Sequence, residues 1–256
     1  MITEKTFLEQ SVLFAQLSNV AYKSPAIASK LFEDLGYTSE YYESADSNVY
    51  VVEDATDIIV VCRGTEPTEW SDISADLSID LVPSRGGVGK VHVGFRTYTD
   101  KVWPQVMWHV KATREKKHLW LTGHSLGAAM ATLMARRFAL DVTLPIPAAL
   151  FTYGSPRVGN RKYINAFNKL VPHHRWVNAG DIVTKVPISP WYYHCGTRHH
   201  IKAPKKNITQ KSWITKIYTT IHDVLFKKIK NDISDHSSTL YVERLSMQLT
   251  DTACNY

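Results

Sequence analysis

Leu119-Trp120-Leu121-Thr122-Gly123-His124-Ser125-Leu126-Gly127-Ala128-Ala129 begins as an apolar run of strand length, breaks at a glycine, turns through a serine and resumes as an alanine-rich stretch. The run from Ser125 to Leu140 is dominated by Ala, Leu and Met, which favour helix. A strand that meets a helix through Gly-x-Ser-x-Gly turns so sharply that Cβ atoms would crowd, and Gly123 and Gly127 remove two of them. Such a turn lifts the Ser125 hydroxyl clear of the strand and sets it at the positive end of the next helix, where developing negative charge is favoured. Ser125 is therefore a candidate nucleophile, and the backbone N–H of Leu126 a candidate donor to an oxyanion.

The flanking sequence repeats the alternation of strand and helix. Upstream lie two strand-like runs, Asn48 to Val52 and Ile58 to Cys62, the second so continuously apolar that both faces should be buried. A helix follows at Phe95 to Lys111, bent or started near Pro104. Downstream come a strand at Ala148 to Tyr153, a helix at Lys162 to Leu170 and a strand at His174 to Ala179. This order implies an α/β fold with a largely parallel central sheet flanked by helices. The first 35 or so residues read as two helices, Thr3 to Tyr22 and one opened by Ser24-Pro25, packing as outer cover. With no internal repeat or linker, residues 1–256 read as a single domain.

Composition narrows the classes. The 44% apolar and 21% charged residues of this 256-residue chain are ordinary globular values, and 12 Gly with 11 Pro exclude collagen-like or low-complexity character. Thirty basic against 24 acidic residues leave a net charge of +6, which favours anionic partners without naming one. No apolar stretch approaches the roughly 18–20 residues of a membrane-spanning helix. Glu4, Lys5, Glu9 and Gln10 interrupt the place where a cleavable signal has its apolar core, so the expected location is the cytoplasm or one reached without such a signal. Three widely spaced cysteines, Cys62, Cys195 and Cys254, read as thiols. No metal or cofactor is expected: Gly86 to Lys90 lacks phosphate-loop spacing, and the adjacent pairs His173-His174 and His199-His200 would point to opposite faces. No nucleic-acid-binding fold accompanies the positive charge.

A serine hydroxyl needs a base to take its proton and an acid to orient that base. On this architecture the order is serine, acid, histidine, with the acid just beyond a strand. Asp181 fits best, following Arg175 to Ala179 and Gly180; Asp141, at a helix end, is the weaker candidate. Among later histidines, His236 lies in the polar segment Asn231 to Ser238, whereas His194, His199 and His200 sit in a strand-like run, Trp191 to Ile201.

Together with Val61-Cys62-Arg63-Gly64-Thr65, Val91-His92-Val93-Gly94-Phe95, Tyr153-Gly154-Ser155-Pro156-Arg157-Val158-Gly159-Asn160, Asn178 to Val183, Tyr193-His194-Cys195-Gly196 and Asp235-His236, the serine turn makes the chain resemble the class 3 lipases, the fungal-lipase-like branch of the α/β-hydrolases, from about Ile58 onward. The resemblance implies Ser125, Asp181 and His236 as catalytic triad and Thr65 as second oxyanion donor beside Leu126. It implies hydrolysis of carboxylic esters of acylglycerols through an acyl-enzyme, on a lipid ester at a lipid–water interface. Phospholipase A1-type hydrolysis is the alternative within the same machinery; a noncatalytic lipid-surface protein is the alternative outside it.

Two segments bear on access. In residues 66–82, Trp70, Ile73, Leu77 and Leu81 fall on one helical stripe beside Glu69, Asp72, Asp76 and Asp80, where the resemblance implies an amphipathic lid; Ser84 to Gly89 would be its hinge or simply a loop. Residues 202–230 hold eight lysines against the single acid Asp223, which suits either a helix packed on its own domain or peripheral contact with an anionic membrane surface.

Overall fold

A computed structural model describes residues 1–65, 80–113, 117–178, 180–187, 190–201 and 235–253. Its strands are β1 (Thr38–Ser44), β2 (Ser47–Glu53), β3 (Asp57–Cys62), β4 (Leu81–Pro83), β5 (Lys90–His92), β6 (His118–His124), β7 (Ala149–Tyr153), β8 (His173–Asn178) and β9 (Thr197–Ile201). The helices are α1 (Phe7–Val20), α2 (Pro25–Asp34), α3 (Val93–Thr113), α4 (Leu126–Leu140), α5 (Arg161–Phe167) and α6 (Ser238–Ala253).

Seven strands form one sheet in the order β1-β2-β3-β6-β7-β8-β9. β2 pairs antiparallel with both β1 and β3, and every pairing from β3 to β9 in this sheet is parallel. The alternation in β3 explains its apolar sequence: Ile58, Val60 and Cys62 join the core on one face, Ile59 and Val61 the core on the other. Each such side chain, fully enclosed, contributes about 1.5–3 kcal/mol. Val102, Val106 and Val110 of α3, with α4 and Phe167 of α5, fill the first layer; Phe14 and Leu17 of α1, Phe32 of α2, and Tyr241 and Leu245 of α6 fill the second. The parallel strands therefore share a carboxyl edge, where ligand crevices of α/β sheets form.

Several sequence expectations change in detail. β1 was not expected, because its residues are polar and it pairs only with β2 at the sheet edge. α3 begins at Val93 and continues through Pro104. Only Thr197 to Ile201 of the 191–201 run is strand, whereas Tyr193 makes an isolated bridge to Gly159. Leu81 does not continue a helical stripe: it pairs with His92 in the β4–β5 hairpin, which Ser84 to Gly89 closes as a tied turn. Arg136 on α4 holds that turn through Ser84 Oγ and the Arg85 carbonyl, both at 3.0 Å. The rest of the expected lid, 66–79, lies outside the described residues, as do 202–230 and Cys254. Cys62 and Cys195 are buried free thiols. No described helix is long and apolar enough to cross a membrane.

Candidate active site

The β6–α4 turn is as tight as its glycines imply. A Cβ on Gly127 would sit 2.1 Å from the Cys62 carbonyl oxygen, and one on Gly123 would sit 2.5 Å from the Gly127 carbonyl carbon, so β3, β6 and α4 meet backbone to backbone. Ser125 is held at φ 58°, ψ −127°, a region that costs a residue with a side chain about 1–3 kcal/mol. Its N–H donates to the Tyr153 carbonyl at 3.0 Å, its carbonyl accepts from Ala128, and the hydroxyl is buried without a hydrogen bond to any described residue, His236 included. The hydroxyl is placed where the candidate nucleophile was expected, and catalytic hydrogen bonds often tighten only when substrate is bound.

The candidate acid and base meet beyond β8. Gly180 and Asp181 follow Asn178, and Asp181 accepts from Val183 N–H at 2.9 Å while its own N–H donates to the Asn178 carbonyl. His236 Nδ1 lies 3.0 and 2.9 Å from the two Asp181 carboxylate oxygens, in an environment that leaves His236 3% and Asp181 1% exposed. A carboxylate that engages Nδ1 directs Nε2 away from itself, the tautomer a general base requires. Asp181 and His236 stand 55 positions apart in the sequence, yet Gly154 just after β7 allows the pair to form. At φ 57°, a Cβ there would come within 2.8 Å of both the Asp181 carboxylate and the His236 ring.

His124, the residue before the candidate nucleophile, fastens the candidate base. Its Nε2–H donates to the His236 backbone carbonyl at 2.6 Å, which leaves Nδ1 to accept the Tyr22 hydroxyl at 2.7 Å. The two imidazoles stack with centroids 4.5 Å apart. Burial, and next the neighbouring His236, hold His124 well below the usual imidazole pKa, so it serves as a neutral strut. Asn178 Nδ2 donates to the Asp235 carbonyl at 2.8 Å and fixes the other side of the same turn. Thus the turn just after α1, a helix expected only as cover, brings Tyr22 to the site.

Thr65 follows Gly64, whose Cβ would lie 3.2 Å from Ser125 Cβ, so the end of β3 passes beside the serine. The Thr65 hydroxyl is enclosed and unpartnered among the described residues, and Leu126 opens α4 directly after Ser125. Asp141 stands at the far end of α4, about 22 Å away at 1.5 Å per residue, exposed and occupied by Thr143. His194 donates to the Thr184 carbonyl and His199 packs against Phe7, leaving His236 as the histidine that meets Asp181. Sequence reasoning missed Tyr241, whose phenol donates to Asp181 Oδ2 at 2.7 Å, and the roles of His124, Tyr22 and Gly154. A tyrosine five residues beyond His236, on the helix it opens, was the available signal. Among the described residues no group of three or more His, Cys, Asp or Glu side chains could hold a metal ion.

A strained serine at a strand–helix turn, with a buried Asp–His pair beside it on a mostly parallel sheet, defines an α/β-hydrolase. Residues 59–191 match the family model for class 3 lipases, just over half of the chain, and the chain belongs to that family. It is 32% identical over 170 residues to Lipase ZK262.3 of Caenorhabditis elegans, covering 64% of this chain and 48% of that protein. It is also 31% identical over 159 residues to phospholipase A1-II 1 of Oryza sativa, covering 51% of this chain and 39% of that one. The solved triacylglyceride lipase of Rhizomucor miehei superposes with a TM-score of 0.68 at 25% identity, over 77% of this chain and 82% of the other. The alignments span about half or less of the length of these two curated relatives.

Proposed function

We propose that the chain is a serine hydrolase that cleaves carboxylic ester bonds of acylglycerols at a lipid–water interface. The observation that carries this reading is the two-oxygen contact of Asp181 with His236 Nδ1 beside a strained, unbonded Ser125 hydroxyl. Ser125 Oγ attacks the acyl carbon as His236 Nε2 takes its proton, and Asp181 stabilises the imidazolium. The N–H groups of Leu126 and Thr65 receive the oxyanion; losing one such donor typically costs about 10²–10³ in turnover. Collapse of the tetrahedral adduct breaks the bond to the alcohol, which leaves with the proton from His236. Water, deprotonated by the same imidazole, then releases the fatty acid and restores Ser125.

Phospholipase A1-type hydrolysis is the second reading, supported by the rice relative's name and by the same ester chemistry. A fluorophosphonate probe in the presence of lipid tests the first step: labelling at Ser125 is expected, and its absence in folded protein defeats the catalytic reading. Fatty-acid release from triacylglycerol, monoacylglycerol and phospholipid then separates the two substrates, and turnover of phospholipid alone overturns the acylglycerol assignment.

A further inference from the structure

The sheet face that α5 covers holds a buried cation with no counter-charge among the described residues. Arg175 on β8 is 6% exposed, yet its Nε has no acceptor and its guanidinium forms no ion pair with any described residue. Its in-register neighbour on β9 is Arg198, so two guanidiniums leave adjacent parallel strands on the same face. Like charges in that position repel. A third arginine nearby, Arg157, directs Nη1 to the carbonyls of Lys185 and Pro187 at 2.7 and 2.9 Å and brings no negative charge.

The neighbouring groups add unmet hydrogen-bonding capacity. His173, two residues before Arg175 and on its face, pairs Nε2 with the Thr152 hydroxyl at 2.8 Å and leaves a buried Nδ1 unpartnered. His194 spends Nε2 on the Thr184 carbonyl and likewise leaves Nδ1 without a partner. Burial holds the Cys195 thiol above its usual pKa, so it supplies no thiolate. Burial, followed by Arg198, brings Arg175 down to about 10. A guanidinium enclosed at Nε, as here, normally has a carboxylate or phosphate facing its planar fork.

We propose that a small inorganic anion binds between Arg175 and Arg198 and serves as the missing counter-charge of the β8–β9 pair. The anion accepts from the Arg175 fork, with Arg198 at its solvent side, since β9 is the sheet edge and Arg198 is exposed. Its place in the fold is across the β8–β9 pair, where it tightens the junction of the two strands. Water can satisfy the N–H donors but cannot neutralise two cations, which is what separates the two occupants by experiment.

The test is the thermal midpoint of the full chain as chloride or phosphate is titrated at constant ionic strength, the balance made up with sodium HEPES. The wild type is expected to gain about 5–10 °C at a hundredfold excess over Kd and then saturate. Arg175→Met should lose that response. Arg198→Glu sets a carboxylate in register with Arg175, and should reach the anion-saturated midpoint already in HEPES, whose bulky sulfonate is the reference anion, and stay flat as chloride or phosphate replaces it. A wild-type midpoint that does not move as chloride or phosphate replaces HEPES at constant ionic strength, or a full anion response in either variant, overturns the proposal. Arg198→Glu keeps the test decisive should Arg175→Met fail to fold.

Discussion

Tyr241 donates its phenol to Asp181 Oδ2 at 2.7 Å, the same oxygen that lies 2.9 Å from His236 Nδ1. Helix α6 thus fixes the acid from one side while the turn just before it carries the base. The same phenol oxygen accepts the Asn178 N–H at 3.0 Å. Burial and then the Asp181 charge raise the Tyr241 pKa well above that of an exposed tyrosine, so it remains a donor. Tyr241→Phe removes a bond to a charged group and strands a backbone donor. Unfolding free energy should fall by about 1.5–3 kcal/mol in urea titration. We expect kcat to drop about tenfold with KM little changed; the wild-type kcat would show that the other two contacts suffice to hold the carboxylate.

His124 ties the residue before the nucleophile to the backbone of the base. His124→Phe keeps the ring's bulk against His236 but removes the 2.6 Å bond to its carbonyl and the acceptor for Tyr22. The expected result is a fall in kcat of about 10-fold or more with fluorophosphonate labelling slowed in proportion. Tyr22→Phe should do less, about 1 kcal/mol of stability, because the bond to His236 survives. Equal effects of the two substitutions would show that the strut acts through α1 rather than through His236.

The depressed histidines set the direction of acid lability. His124, His173 and His194 are all held below the usual value of 6.5, each mainly by burial, His194 down to about 3. The unfolded chain therefore binds protons that the folded chain refuses. Stability contributed by these groups is complete above about pH 7 and declines as pH falls through 6.5, by up to about 1.4 kcal/mol per pH unit for each. For His194 the window runs from about 6.5 to about 3. Urea midpoints between pH 8 and pH 4.5 measure this; a flat profile would mean that the three imidazoles are charged in the folded state.

Gly154 sits where a methyl group would wedge acid from base. Its φ of 57° already disfavours a side chain, and the added carbon would come within 2.8 Å of Asp181 Oδ2 and of His236 Cε1 and Nδ1. Gly154→Ala should therefore lower kcat by at least about 10²-fold, since displacements near 1 Å can have that effect, while leaving most of the far-UV spectrum intact. Ester turnover with a soluble substrate checks it independently of any interface.

Much of this arrangement was legible because glycine and apolar patterning report local backbone. The serine turn, β3 and α4 followed from Gly123, Gly127 and unbroken apolar runs, and a place just beyond a strand and Gly180 favoured Asp181 over Asp141 at a helix end. The resemblance carried His236 and Thr65 to matching positions. Residues whose roles depend on distant elements left no such trace. Tyr22 and Tyr241 look like amphipathic helix positions until the sheet brings α1 and α6 to its carboxyl edge, and β1 is polar because only its inner side meets a neighbour. Arg175 is similar: a strand arginine is unremarkable in sequence, and its isolation becomes visible only when register sets it beside Arg198.

Ser125 itself separates strain from chemistry. At φ 58°, ψ −127° it holds a conformation that glycine reaches without steric cost. Ser125→Ala keeps the Cβ and so keeps the strain, while Ser125→Gly relieves about 1–3 kcal/mol and loses about 0.5–1 kcal/mol to the greater freedom of the unfolded chain. Both variants should reduce kcat by about 10⁶-fold, the scale seen when a serine nucleophile is removed. The glycine variant should nevertheless unfold at higher urea than the alanine variant. If Ser125→Gly were the less stable of the two, the serine turn would not be storing conformational energy, and the tight contacts of Gly123 and Gly127 would have to be placing the hydroxyl without it.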